Sequence, residues 1–413
     1  MVHQPPSGAR DLLPLEVAQK IWIERRLQQV FHRWGYHRII TSTLERLDTL
    51  MAGGAVQRST VIQLQEAEEE ALGLRPELTA SIARAAVTRM AGEDPWPERL
   101  YYNANVFRKG QNAGHGSQQE FYQAGVELLG AGGVAADAEI LLLASECLQS
   151  LGLKNWHLIL GEAGLTAKLL DVFPVSVRDR VRRAIAHLDR IALETMPLSS
   201  ELRERALFLF DLRGKPEDVL LKLTKLDLDG PQQEAVNNLK SLLELLRDSR
   251  LGGRGDRSQE LQIHLDLSLI QTFDYYTSIV FEVVSDADTA RILGQGGRYD
   301  QLLGLYHPQG QTYPGIGFSL NLEDLHQVLL AEGELPRETP ASDWLVVPQT
   351  PQAYATAFAY ARNLRDSTDL VRVEVDLASR ETAEATRDYA RRRRIHQIAW
   401  INAEGIPTIE PVS

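Results

Sequence analysis

The stretch Glu120-Phe-Tyr-Gln-Ala-Gly-Val-Glu127 sets two polar residues, Gln123 and Glu127, four positions apart in an apolar run that continues through Leu128-Leu129. Its aromatic and β-branched content suits a strand. On a strand, residues two or four apart face the same side, so Gln123 and Glu127 share a face with Phe121 and Gly125. Upstream, Leu100-Tyr-Tyr-Asn-Ala-Asn-Val-Phe-Arg108 has the same character, and the intervening Lys109 to Gln118 holds three glycines. The two runs read as the strands of a hairpin joined by a glycine-rich loop.

Toward the N-terminus, Leu74-Arg-Pro-Glu-Leu-Thr79 opens a helix over Ala80 to Met90 with Thr79 as its N-cap. Earlier, Val17, Ile21, Ile23, Leu27, Val30 and Phe31 recur at the spacing of a buried-face helix from Glu16 to Trp34, entered through Pro14. Gly35-Tyr36 ends it, and Arg38-Ile-Ile-Thr-Ser-Thr-Leu44 reads as a strand. Toward the C-terminus, leucines at helical spacing and charges of alternating sign mark an all-helical insertion from Leu165 to about Arg250. It closes at the Gly252-Gly-Arg-Gly-Asp256 loop. Strands resume at Leu261 to Leu267 and Ser278 to Val284. Gly294-Gln-Gly-Gly-Arg298 reads as a turn, Tyr313-Pro-Gly-Ile-Gly-Phe318 follows, and a helix starts at Leu322. Beyond the linker Glu332 to Pro340, strands at Trp344 to Val347, Val371 to Val375 and Ile398 to Ile401 alternate with helices at Pro351 to Leu364 and Glu381 to Arg394. The expected division is 1–165 and 256–330 as two parts of one core, 166–255 as the helical insertion, and 341–413 as a small α/β unit.

A chain of 413 residues suggests about two or three domains. With 44% hydrophobic and 24% charged residues it has the balance of a soluble globular protein. Its longest apolar stretches fall far short of a membrane span. The start, Met1-Val-His-Gln-Pro-Pro, shows no secretory signal, so a cytoplasmic location is expected. The single cysteine, Cys147, excludes an intramolecular disulfide and a cysteine-cluster zinc site; its helical apolar context makes it a core residue. Forty-four basic against fifty-six acidic residues, a net charge of −12, argue mildly against gripping a polyanion. The run Arg391-Arg-Arg-Arg394 fits the last turn of a helix, where the dipole favours cations, better than a nucleic-acid patch.

Six segments appear in order: Gly8-Ala-Arg-Asp-Leu-Leu-Pro14, Leu74–Thr79, Val106-Phe-Arg108, Glu120–Glu127, Phe273-Asp-Tyr-Tyr-Thr277 and Gly296-Gly-Arg-Tyr-Asp300. Together they resemble the catalytic domain of histidyl-tRNA synthetase, a class II aminoacyl-tRNA synthetase, over about residues 6 to 325. The resemblance implies an α+β fold, a mixed and mostly antiparallel sheet flanked by helices, and a dimer through the first strand region. It also implies a pocket for free histidine. Glu77, Thr79, Gln123, Glu127, Tyr275 and Tyr276 match that pocket, and Arg108 is the arginine of the family's hairpin motif that survives here. Acids there hold the ammonium and imidazole while polar groups fix the ring.

The departures decide the activity. Adenylate formation needs preorganised cations aimed at the α-phosphate and the leaving pyrophosphate. Where the synthetase family has an arginine before its tyrosine pair, this chain has Gln271; where the last motif ends in arginine, it has Asp324. Asp324 is thus expected to invert the local electrostatics. The hairpin loop keeps Arg108 and loses the other cations, with Lys109 as a partial substitute, and Ser42 stands where the class II pattern has proline. Losing one such donor costs on the order of 10²–10³ in rate. The profile is similar to the ATP phosphoribosyltransferase regulatory subunits, paralogues of the synthetase. That similarity implies a noncatalytic chain that activates the short-form catalytic subunit in the first step of histidine biosynthesis. It further implies feedback inhibition by histidine, and a homodimer within a hetero-octamer. Neither a cofactor nor a metal is expected, and neither nucleic acid nor membrane as a partner. A divergent histidyl-tRNA synthetase and a synthetase-like starvation sensor binding tRNA are the alternatives.

Overall fold

The expected hairpin forms as two ten-residue antiparallel strands, Glu98–Phe107 and Glu120–Leu129, paired from Glu98↔Leu129 to Phe107↔Glu120. They lie near one end of a large sheet in a computed structural model that describes residues 5–54, 56–64, 71–90, 96–109, 118–251, 261–269, 275–286, 290–367, 370–378, 380 and 382–412. The chain divides into two compact units, Met1–Leu335 and Pro336–Ser413.

Among the described residues the first unit contains β1 (His37–Arg38), β2 (Leu44–Arg46), β3 (Gln63–Leu64), β4 (Leu72–Leu74), β5 (Glu98–Phe107), β6 (Glu120–Leu129), β7 (Trp156–Glu162), β8 (Arg213–Gly214), β9 (Ile263–Asp266), β10 (Ile279–Ser285), β11 (Arg291–Arg298) and β12 (Gly315–Asn321). The sheet runs β1-β5-β6-β12-β11-β10-β7-β9-β8, while β2-β4-β3 form a small sheet of their own. The pairs β1/β5 and β7/β9 are parallel; the six neighbour pairs between and beyond them are antiparallel. The mixed, mostly antiparallel sheet expected from the motifs is therefore present.

Its two faces differ. Ala124, Val126 and Leu128 of β6 join Ile316, Phe318 and Leu320 of β12 in the main core. The helix Pro14–Arg33 adds Ile23, Leu27, Val30 and Phe31, and the helix Gly133–Ser150 adds Ile140, Leu141, Leu143 and Leu148, with Cys147 fully buried among them. On the opposite face a smaller cluster gathers Leu100, Tyr102 and Val106 of β5, Leu129, Tyr299, and Leu78, Ile82 and Ala83 of the helix Thr79–Ala85. A strand between two covered faces, each contributing alternate residues, accounts for the mixed pattern of β6.

Local expectations fail where tertiary pairing outweighs local signals. The strand expected over 38–44 is reduced to His37–Arg38 and a separate Leu44–Arg46. Between them the Thr41 and Ser42 carbonyls accept from Arg75 Nη1 at 2.8 and 3.1 Å, so a side chain replaces the sheet ladder. Gly294-Gln-Gly-Gly-Arg298 is not a turn but part of β11, paired with both β10 and β12. A Cβ at Gly296 would stand 2.7 Å from the Phe281 ring, so glycine here serves close packing rather than chain reversal. The insertion is mostly helical, in six helices from Ala163 to Leu251, but the two-residue β8 interrupts it and pairs with β9 at the sheet edge. Two residues are too few to leave a period-two signature. The helix expected over 80–90 is Thr79–Ala85 followed by a wider π turn, Ala86–Met90.

In the second unit β13 (Trp344–Pro348), β14 (Val373–Val375), β15 (Gln397–Ile401) and β16 (Pro407–Pro411) form a sheet in the order β14-β13-β15-β16. The helix expected from Pro351 begins at Tyr354, after a single tighter turn, Pro351–Ala353, and runs to Ser367. The helix Ala383–Arg393 ends at Arg394 in the left-handed region, φ 57°. Its arginines are paired within the unit, Arg391 with Glu384 at 3.1 Å and Asp388 at 2.7 Å, and Arg393 with Glu374 at 3.6 Å. That is the helix-end reading of the basic run.

Candidate ligand-binding site

The seven site residues expected from the motifs, Glu77, Thr79, Arg108, Gln123, Glu127, Tyr275 and Tyr276, line one cleft on the sheet face away from the long helices. Strand register explains the meeting. Glu127 is opposite Leu100 and Gly317, and Gly317 is opposite Gly297; one rung over, Gly125 is opposite Tyr102 and Ser319, and Ser319 opposite Gln295. Directly paired residues share a face, so these rungs form the floor. Glycine is required in it: a Cβ at Gly317 would collide with the Glu127 carboxylate, and one at Gly297 would stand 2.7 Å from the Tyr276 ring. The walls come from the segment preceding the helix Thr79–Ala85 and from the tyrosines Tyr275, Tyr276 and Tyr299.

Glu127 lies at the bottom, 1% exposed. Thr79 Oγ1 donates to its Oε1 at 2.7 Å, and the Tyr299 hydroxyl donates to its other oxygen. Burial nevertheless dominates and pushes its carboxyl up to about 8, against the two hydrogen bonds that favour the charged form and with help from the nearby Glu77 charge. Near neutral pH Glu127 is therefore mostly protonated. Glu77 is also raised, chiefly by burial, although the Ala80 N–H donates to its two oxygens at 3.0 and 3.3 Å. Glu77 thus caps the helix Thr79–Ala85, and the role expected for Thr79 is corrected. The cap position is Leu78, and the Thr79 hydroxyl is turned to Glu127 instead.

Arg108 is the only cation among the described residues lining the cleft. Its Nε donates to the Pro76 carbonyl at 2.9 Å, and burial lowers its basicity, opposed by Glu77. Tyr275 packs against Tyr276 with ring centroids 4.7 Å apart and meets Tyr299 edge-on at 5.7 Å. Burial raises the phenols of Tyr102, Tyr275, Tyr276 and Tyr299, so each meets a ligand as a neutral hydroxyl. Seven further residues line the cleft, and four of them are polar: Tyr102, Gln295, Tyr299 and Ser319. Tyr299 lies inside the Gly296–Asp300 motif and so carries a signal. Tyr102, Gln295 and Ser319 carry none apart from the strand register.

Of the departures from the synthetase pattern, Gln271 and most of the hairpin loop lie outside the described residues. The Lys109 N–H donates to the Thr60 carbonyl at 2.9 Å. Asp324 lies in the first turn of the helix Leu322–Glu332, and Arg291 Nη1 donates to it at 3.2 Å. The expected inversion of charge is corrected to a cancellation: where a free cation is anticipated for the synthetase, this chain has an ion pair.

A family model described as Histidyl-tRNA synthetase matches residues 8–325. An ATP phosphoribosyltransferase regulatory subunit of Nostoc sp. is 67% identical, the alignment covering 100% of both chains; that of Gloeothece citriformis is 61% identical over the same shares. This chain belongs to the family of ATP phosphoribosyltransferase regulatory subunits. A crystal structure from Bacillus halodurans titled ATP phosphoribosyltransferase regulatory subunit/histidyl-tRNA synthetase superimposes with a TM-score of 0.80 at 25% identity, covering 97% of this chain and 99% of that one. Histidyl-tRNA synthetase from Nostoc sp. shares the fold, with a TM-score of 0.77 at 19% identity over 99% of this chain and 97% of that one. The function expected from the motifs is the one carried by the regulatory-subunit relatives. Among the described residues no helix is long and apolar enough to cross a membrane.

Proposed function

We propose that this regulatory subunit has no catalytic activity of its own, binds histidine in the cleft around Glu127, and passes that occupancy to a short-form ATP phosphoribosyltransferase catalytic subunit. The observation that carries the ligand reading is the convergence of two buried acids, one arginine and four neutral phenols on a single small cleft. Histidine is a zwitterion with a polar ring. Arg108 suits its carboxylate, Glu77 and Glu127 suit its ammonium and imidazole, and the phenols orient the ring. Its cationic group would favour ionised Glu127, so binding near pH 7 expels a proton. Calorimetry in two buffers of different ionisation enthalpy reads that proton directly.

The departures from the synthetase pattern support the noncatalytic part: Asp324 stands where the last motif has an arginine, and it is paired with Arg291. Regulation requires histidine to bind two states of the assembly with different affinity, since equal affinity shifts nothing. The homodimer, the hetero-octamer and the cytoplasmic location belong to the same proposal.

The deciding experiment follows phosphoribosyl-ATP formation by a short-form catalytic subunit with and without this chain. Activation on mixing, reversed by histidine and insensitive to histidine in Glu127→Ala, is the expected result. Failure of the chains to co-elute, or histidine-dependent pyrophosphate–ATP exchange by this chain alone, overturns it in favour of a divergent synthetase. Salt-dependent binding of uncharged tRNA would favour a starvation sensor.

A further inference from the structure

Arg298 ends β11 with its main chain beside the cleft and its side chain on the opposite side of the sheet, only 4% exposed. There Nε donates to Asp137 Oδ1 at 2.9 Å and Nη2 to the Gly133 carbonyl at 3.2 Å. Nη1 reaches Asp300 Oδ1 at 3.3 Å and the Ala131 carbonyl at 3.4 Å. Asp137 is itself 7% exposed and lies in the second turn of the helix Gly133–Ser150, which follows β6 directly. The guanidinium fork therefore grips the start of that helix and the turn leading into it.

The main chain around Arg298 is tied to the cleft. Its carbonyl accepts from Thr277 N at 2.8 Å and Thr277 Oγ1 at 3.3 Å, and Thr277 Oγ1 accepts from Asp300 N at 3.1 Å. Thr277 directly follows Tyr275-Tyr276. The next residue, Tyr299, donates its N–H to the Gly315 carbonyl at 2.7 Å and its hydroxyl to Glu127. One residue thus joins the helix start, the turn between β6 and that helix, the end of β11, and the segment after the tyrosine pair. Stability alone gives little reason for two buried charges here, because a buried pair is often no better than apolar residues of the same size. A rigid five-donor fork does fix position.

We propose that Arg298 is a positioning residue of the cleft: by gripping Asp137 and the helix start it holds Tyr299 and Thr277, and with them Glu127 and Tyr276, in the arrangement that admits the ligand. The proposal rests on the histidine reading for its ligand but not for its geometry.

Arg298→Lys in the full chain keeps the charge and loses the fork. L-histidine affinity by calorimetry is expected to fall about tenfold, and the tyrosine near-ultraviolet circular dichroism to weaken with far-ultraviolet signal unchanged. In a Tyr299→Phe background the same change should cost less than about twofold, because residues acting through one another are non-additive. Equal losses in both backgrounds, or unchanged affinity with an unchanged tyrosine signal, would overturn the proposal. Asp137→Asn, which leaves the carbonyl contacts of Arg298 in place, serves if the lysine variant does not fold; a loss of about threefold, again absent beside Tyr299→Phe, is expected. A parent chain that binds no histidine would remove the ligand reading, while a weakened tyrosine signal in the Arg298 variant would still establish the positioning role.

Discussion

Along β6, Gln123, Gly125 and Glu127 face the cleft, while Ala124, Val126 and Leu128 face the helix-covered core. Both faces are almost fully buried: Glu127 and Leu128 are each 1% exposed. Burial by itself therefore says nothing about role. On the core side Ala124, Val126 and Leu128 pack into the main apolar cluster, so a lost methylene leaves a void. On the cleft side the buried groups are polar, hydrogen-bonded to one another, and shifted in acidity by the absence of water. That face holds free energy that a ligand of the right charge can release.

The largest test of the contrast is pH. The folded-state pKa of Glu127 is about 8 against the ordinary carboxylate value of 4.5. Between these values the native chain holds a proton the unfolded chain has lost, so stability present below pH 4.5 is lost as pH rises toward 8. The difference in unfolding free energy between the parent and Glu127→Gln, by denaturant melts without histidine, should change by on the order of 4 kcal/mol across that window. A flat difference would mean that Glu127 is ionised throughout and would erase the distinction between the faces.

Next comes the core side. Leu128→Ala should destabilise the fold by about 3 kcal/mol, while histidine affinity stays within about twofold of the parent. A large affinity loss would mean that the core side, too, belongs to the site. The reciprocal change, Glu127→Ala, should weaken histidine binding by about 2 kcal/mol in calorimetric titration, since it leaves a ligand cation unpaired. The smallest effect belongs to the basic run of the second unit. Arg392→Gln, at an exposed helix end, should move stability by less than about 0.5 kcal/mol in thermal melts and leave histidine binding unchanged.

Much of the cleft is legible in the sequence. Glu77, Thr79, Gln123 and Glu127 lie in short motifs, and period-two alternation on β6 puts Gln123 and Glu127 on one face. The Cys147 and Arg391–Arg394 readings need only helical periodicity and the helix dipole. The errors share a cause. Thr79 looks like a cap because hydroxyls usually cap; its hydroxyl is drawn instead to a carboxylate on a strand 48 residues away. Gly294–Arg298 looks like a turn because glycines usually turn; here they allow β10, β11 and β12 to pack closely under aromatic rings. The two-residue β8 exists only because β9 is there to pair with it.

The family and the residue types that meet in the cleft are legible in the chain alone, because local patterns and collinear motifs carry them. Tertiary structure decided which oxygen each hydroxyl serves, that Asp324 is neutralised by Arg291, and that Glu127 is uncharged near neutral pH. These depend on burial and on partners distant in the chain, and desolvation is a property of the folded surroundings rather than of any stretch of residues.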